Sequence, residues 1–223
     1  DINAYLTAGI TTDHECVKPE EMIERVRRGM YVMLREGSAA RNLHDLLAGY
    51  SKELSHRLMF CTDDKHIDDL LEEGSIDYHV RECLKAGIDI YSIMRMASLN
   101  AAQCYSLKGK GAIAPGYDAD FILLNAIEEF DIDSVWVNGI RYEEDNGQAK
   151  EASFENTVIL GNYSKELLRL PLTSEIARVI EIIPNSIVTK KAQYKVPVEN
   201  GLFVPSKEED FVKIAVVERH KGT

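Results

Sequence analysis

The chain has 223 residues, 45% of them hydrophobic, and carries 26 basic against 37 acidic side chains for a net charge of −11. That length suffices for one large domain or two small ones with real cores. The acidic balance disfavours a nucleic-acid backbone or an anionic membrane surface as partner and favours a small neutral or cationic substrate.

Over the first hundred or so residues, short β-like runs alternate with helical ones, the pattern of a parallel sheet with crossover helices. Ile10-Thr11-Thr12 reads as a strand that stops at Asp13-His14-Glu15. A helix from about Pro19 to Arg28 follows, with Pro in its first turn and Gly29 beyond its end. Met30 to Leu34 is the second strand; it stops at Arg35-Glu36-Gly37-Ser38, where Ser38 is expected to cap a helix through Ala39, Leu43, Leu46 and Leu47. Arg57 to Thr62 is the third strand, ending in Asp63-Asp64. Ser75 is expected to cap a helix through Ile76, Val80 and Leu84 that closes at Gly87, and another helix spans about Ile90 to Tyr105. Three strands thus deliver polar residues at their carboxyl ends.

After residue 108, Gly109, Gly111, Pro115 and Gly116 supply turn chemistry. Ala119 to Leu124 and Ser134 to Val137 read as antiparallel strands. Asn138-Gly139 predicts a tight hairpin pairing Val135-Trp136-Val137 with Ile140-Arg141-Tyr142. A small β domain over 109–145 is expected, then a polar linker from Glu143 to Glu151. A further β-rich unit over 152–223 follows, with strands at Thr157–Leu160, Ala177–Ile183, Ser186–Thr189 and Phe211–Glu218.

Cys16, Cys61, Cys83 and Cys104 are scattered without a C-x-x-C pair, which argues against a thiolate zinc site or disulfide scaffold and for reduced thiols in a cytoplasm. No apolar run approaches a membrane span, and the polar opening is unlike a signal peptide, so the chain reads as soluble. It opens on Asp1 and stops directly after an apolar run, so both ends are expected to be cut.

Chemistry is sought where strands end. His14 lies between a strand and a helix, the rim where βα-barrels collect catalytic side chains, although taken alone it reads better as a capping or surface histidine. His44, His56, His79 and His220 have no comparable setting. Asp63 follows a later strand and could bind a divalent metal while taking a proton from water; otherwise it opens a turn. Arg35 and Glu36 read as a pair able to hydrogen-bond a purine edge, or as an internal ion pair. His66 could orient a substrate. Asp68-Asp69 and Glu72-Glu73 read as a solvated helix face. One histidine and one aspartate do not close a metal site, which needs at least three protein ligands. The H-x-E with P-C-x-x-C deaminase signature is absent.

Taken together, Leu6-Thr7-Ala8-Gly9-Ile10-Thr11-Thr12-Asp13-His14-Glu15, Met33-Leu34-Arg35-Glu36-Gly37-Ser38 and Cys61-Thr62-Asp63-Asp64-Lys65-His66 resemble the adenine deaminase branch of the amidohydrolase superfamily. Ala97-Ser98-Leu99-Asn100-Ala101-Ala102 and the Gly111–Asp120 segment resemble the superfamily more broadly, and Ala215–His220 resembles the opening of that branch's extra C-terminal domain. The resemblance implies an α/β fold: residues 1–108 as strands six to eight of a (β/α)8 TIM-type barrel with their helices, then the small β domain and the start of a further domain. It implies hydrolytic deamination of adenine to hypoxanthine and ammonia by a metal-bound hydroxide. His14 and Asp63 would be metal ligands, and Asp63 also the catalytic base and proton donor. Glu15, Arg35, Glu36 and His66 would line or support the substrate pocket. The cofactor would be divalent manganese, iron or zinc. The family's H-x-H pair and its ligands from strands four and five have no counterpart here, so the isolated chain is expected to be inactive. Adenine would be the partner, with neither nucleic acid nor membrane, and an exposed barrel edge would promote a homo-oligomer. Two alternatives stay open: another amidohydrolase acting on cyclic amides or N-acetyl groups, and a catalytically dead scaffold of the same fold.

Overall fold

The computed structural model describes residues 1–143, 153, 155–184 and 186–221. Contacts gather the chain into two compact units, Asp1–Glu144 with Pro184–Ile187, and Asp145–Ile183 with Val188–Thr223.

The first unit is built on a parallel sheet of β1 (Thr12–Asp13), β2 (Tyr31–Arg35) and β3 (Leu58–Cys61), in that order. The register pairs Asp13 with Val32, Val32 with Leu58, and Arg35 with Cys61, so the carboxyl ends of the strands lie side by side. Because side chains alternate along a strand, Val32 and Leu34 share one face with Leu58 and Phe60. That face packs into a cluster with Met22, Val26, Leu43, Leu46, Val80, Cys83, Ile93 and Met96 from the helices. Each such buried side chain stabilises the fold by about 1.5–3 kcal/mol. Met33, Arg35, Met59 and Cys61 fall on the opposite face.

Before the sheet, α1 (Ile2–Thr7) forms where the sequence suggested only a polar opening; the Asp1 carboxylate accepts the Asn3 amide and caps it. In α2 (Pro19–Arg27) proline fills the first turn. Glu21 reaches back to accept the Lys18 amide at 3.2 Å and the Val17 amide at 3.0 Å, satisfying donors the helix start leaves open.

The helix expected to start at Ser38 begins later, as α3 (Leu43–Leu47). The intervening residues fold back on the strand end: Gly37 donates to the Ala40 carbonyl, Asn42 to the Arg35 carbonyl, and Glu36 bridges Arg41. Ser38 is spent elsewhere, accepting the His66 amide at 2.8 Å and donating to Asp69.

After α4 (Ile67–Glu72), α5 (Ile76–Lys85) starts near Ser75, as expected, but the Ser75 hydroxyl makes no cap; Asp77 accepts the Ser75 amide instead, at 2.7 Å. The Asp68–Glu73 acids are not simply a solvated face. Asp68 and Glu72 are exposed, but Asp69 and Glu73 turn inward to Arg41, and Glu73 also to Lys65. The last helical stretch runs as α6 (Ile90–Met94), a π-helical turn (Arg95–Leu99) and α7 (Asn100–Cys104). Asn100 is fully buried, and its amide donates to the carbonyls of Ser55 and Leu58, tying this helix to the start of β3.

A second, antiparallel sheet joins β4 (Phe121–Ala126), β5 (Asp131–Val137) and β6 (Ile140–Arg141). The Asn138-Gly139 hairpin pairs Trp136 with Arg141 and Val137 with Ile140, with φ of 52° and 74° at its two central residues. Asp120 accepts the Asn138 amide at 2.8 Å and, with Asp118, binds Lys110. Gly111 lies so close to the preceding helix that a Cβ would stand 2.9 Å from the Leu99 Cα.

In the second unit β7 (Ile176–Ile182) and β8 (Thr189–Lys195) form an antiparallel ribbon, and β9 (Val198–Glu199) pairs with β10 (Leu202–Phe203). The expected strand at Ala177–Ile183 is therefore present. Thr157–Leu160 and Phe211–Glu218 do not form strands, and the run expected at Ser186–Thr189 becomes strand only from Thr189. The expected linker lies, beyond Glu143, outside the described residues. The architecture is mixed α/β. Among the described residues no helix is long and apolar enough to cross a membrane.

Candidate active site

Three strand ends converge on one guanidinium. Arg35, the last residue of β2, has a side chain only 2% exposed. It donates from one terminal nitrogen to Asp63 Oδ2 at 2.8 Å and from the other to Glu15 Oε2 at 3.0 Å. A buried charge is tolerated only when it is met by partners, and here the loops after β1 and β3 supply both. The Arg35 Nε is buried without a hydrogen-bond partner.

His14 completes the group. Its Nε2 lies 3.4 Å from Glu15 Oε1 and 3.9 Å from Asp63 Oδ2. The turn that aims it is set by Asp13, whose carboxylate accepts the Glu15 amide at 2.7 Å and pairs with Arg25 of α2. Asp63 sits at φ 51°, a left-handed setting that aspartate tolerates better than most residues but that costs energy for any side chain with a Cβ. The next residue, Asp64, accepts the Ala39 amide at 2.7 Å. Its Oδ1 occupies the space over Gly37, where a Cβ would stand 1.9 Å away. Gly37 is thus the residue that lets the loops after β2 and β3 close on each other.

Of the six residues singled out from the sequence, His14, Glu15, Arg35 and Asp63 come together. Glu36 does not join them. Strand alternation turns it to the face opposite Arg35, where it is 2% exposed, accepts the Leu43 amide at 3.2 Å and lies 3.7 Å from Arg41. Burial pushes its carboxyl above the ordinary range, opposed by the Leu43 amide and Arg41. Arg35 and Glu36 are thus neither a joint substrate pair nor a pair with each other. His66 is exposed and opens α4, donating its backbone amide to Ser38. Burial likewise pushes the Cys61 thiol, beside Arg35 and Asp63, up to about 12, which leaves it inert as a nucleophile.

Sequence reasoning passed over Lys65 and His79. Lys65 has a side chain 1% exposed, 2.6 Å from Glu73, and lies 4.4 Å from the Tyr78 ring centroid. His79 is fully buried on α5. The one available signal was position: Lys65 is two residues beyond Asp63, and His79 falls on the same helical stripe as Val80 and Cys83.

The donor set can be tested against a divalent metal. An imidazole nitrogen and a carboxylate oxygen 3.9 Å apart match two donors of one ion, which stand roughly 3–4 Å apart when each bond is about 2.1 Å. Both side chains are partly open to solvent, at 38% and 45%. Among the described residues no group of three or more His, Cys, Asp or Glu side chains could hold an ion. The chain therefore fits such a site as a contributor of two donors. A cavity of about 640 Å³ between α5 and the β4–β5 turn, lined by Asp77, Arg81, Glu129 and Phe130 among others, shares no residue with this cluster.

The model of the Amidohydrolase family matches residues 2–141. An adenine deaminase from Bacillus licheniformis is 44% identical over 227 residues, covering 99% of this chain and 39% of that protein. One from Geobacillus kaustophilus is 45% identical over 240 residues, covering 99% of this chain and 40% of that protein. Among solved structures, a β-aspartyl dipeptidase from Fervidobacterium islandicum aligns over 65% of this chain and 41% of its own, at 24% identity and a TM-score of 0.46. The chain spans about two-fifths of the length of the curated relatives it matches. With the family match running from α1 through the β5–β6 hairpin and taking in all three strand ends, the chain belongs to the amidohydrolase family.

Proposed function

We propose that this chain carries two metal-ligating groups and the proton-transfer carboxylate of an adenine deaminase, which hydrolyses adenine and water to hypoxanthine and ammonia. The observation that carries the reading is the convergence of Glu15 and Asp63 on Arg35, with His14 beside both carboxylates, at the ends of three adjacent parallel strands. The two curated relatives named for that activity support it. In this reading β1 to β3 are strands six to eight of a (β/α)8 barrel, whose catalytic groups gather at the carboxyl ends of its strands. Residues 109–145 are the small β domain and 152–223 the start of a further one. The enzyme works in the cytoplasm.

His14 and Asp63 would hold a divalent metal, manganese, iron or zinc, together with donors from elsewhere in the protein. Once bound, the metal supplies a water acidic enough to lose its proton near neutral pH. Of the two Asp63 oxygens, Oδ2 accepts from Arg35 and stands 3.9 Å from His14 Nε2; in this reading the other takes a proton from water and returns it to the departing amine. Arg35 holds the carboxylate at one angle through a planar fork that a lysine could not reproduce. Glu15, tied to the same guanidinium, presents an acceptor for the N–H edge of a purine.

The test is ammonia and hypoxanthine release by the full-length protein, with cyclic amides and N-acetyl compounds run beside adenine. Turnover of adenine alone is expected. Turnover of an amide without adenine would transfer the site to another reaction of the family. Neither metal nor turnover in the full-length form would leave a scaffold.

A further inference from the structure

Asp63 sits in its left-handed setting between two anchors, both supplied by the segment Glu73–His79. Upstream, His79 Nε2 lies 2.9 Å from the carbonyl of Cys61, the last residue of β3 and two before Asp63. That ring is fully buried, 5.3 Å from the Phe60 ring, and its Nδ1 lies 3.0 Å from the Ser75 carbonyl. Both neighbours are acceptors, and a neutral imidazole has one N–H to give. Downstream, the Lys65 ammonium is held by Glu73 and the face of Tyr78, the residue before His79. A strained backbone setting of this kind, costing on the order of 1 kcal/mol or more, persists only where its flanks over-determine it.

We propose that His79 is a positioning residue for Asp63: its Nε2–H donates to the Cys61 carbonyl and, with Lys65 as the second anchor, holds the turn at which the Asp63 carboxylate reaches both Arg35 and His14. This rests on the deaminase reading for its kinetic consequence, but not for its structural one.

The experiment uses the full-length protein and three substitutions. His79→Gln keeps a donor where Nε2 stands, His79→Asn keeps one only where Nδ1 stands, and His79→Leu keeps neither. In the Leu and Asn variants kcat for adenine falls about 10- to 100-fold with KM little changed, whereas Gln stays within about threefold of wild type. A crystal structure of His79→Leu shows the Arg35–Asp63 contact lengthened beyond hydrogen-bond distance. Equal losses in Gln and Leu would mean that the ring only fills space, and wild-type kcat in Leu would remove the role; either overturns the proposal. If wild type releases no ammonia from adenine, the functional reading fails by itself. The crystal structure then decides the positioning claim, which is lost if Asp63 has not moved.

Discussion

Arg35 shows how much can depend on one side chain. Buried and held by carboxylates from two different loops, it takes two charge-assisted hydrogen bonds with it when removed, so Arg35→Met in the full-length protein should cost about 1–3 kcal/mol of stability, the carboxylates left behind being half exposed to water. A urea titration measures it. Asp63→Asn keeps the shape but removes the carboxylate proposed as base, and kcat should drop about 10²–10⁴-fold with the fold intact by circular dichroism. Gly37→Ala has no such chemistry to lose. The Cβ it adds collides with Asp64, so a loss of about 1–3 kcal/mol is expected from overpacking. At this scale the sequence was informative where a residue's place follows from its position at a strand end. That His14 and Asp63 stand side by side was legible that way. Glu36 was grouped with Arg35 because they are adjacent, although a period of two sends neighbours to opposite faces. His79 was set aside because it follows no strand, and its contact with Cys61 exists only after α5 folds over β3.

Among the elements, those with local punctuation were readable: the three parallel strands, α2 with its proline, and the Asn138-Gly139 hairpin. Those decided by distant partners were not. Ser38 carries a helix-cap signal but bonds to His66 and Asp69, 28 and 31 residues away. Thr157–Leu160 and Phe211–Glu218 have the composition of strands, but composition alone does not supply the neighbouring strand that a ladder needs. The π-helical turn has no sequence mark. It precedes Asn100, and Asn100→Ala should destabilise the fold by about 1–3 kcal/mol by stranding the Ser55 and Leu58 carbonyls. At the end of α4, the hydrogen bond from Lys65 holds the Glu73 carboxyl below the usual range, against burial and with help from Arg41. A depressed folded-state value means that its stabilisation is whole above an unfolded value of about 4.3 and fades as pH falls toward the folded one. The difference in urea midpoint between wild type and Glu73→Gln should therefore narrow below that pH.

At the scale of the molecule, the parallel sheet among the described residues has three strands, and His14 and Asp63 stand as two candidate metal donors. Composition and charge said nothing of the number of donors; the want of an H-x-H pair in the sequence was the signal for it. The 223-residue chain alone should bind well under one manganese, iron or zinc ion per molecule after dialysis, by elemental analysis. The full-length protein should retain its metal under the same treatment. The solitary Nε–H of Arg35 offers a way to follow the site without any turnover. Buried and without a hydrogen-bond partner among the described residues, that proton should exchange slowly with deuterium and give a resolved nitrogen-15 resonance, a built-in spectroscopic probe that broadens whenever the loop after β3 opens.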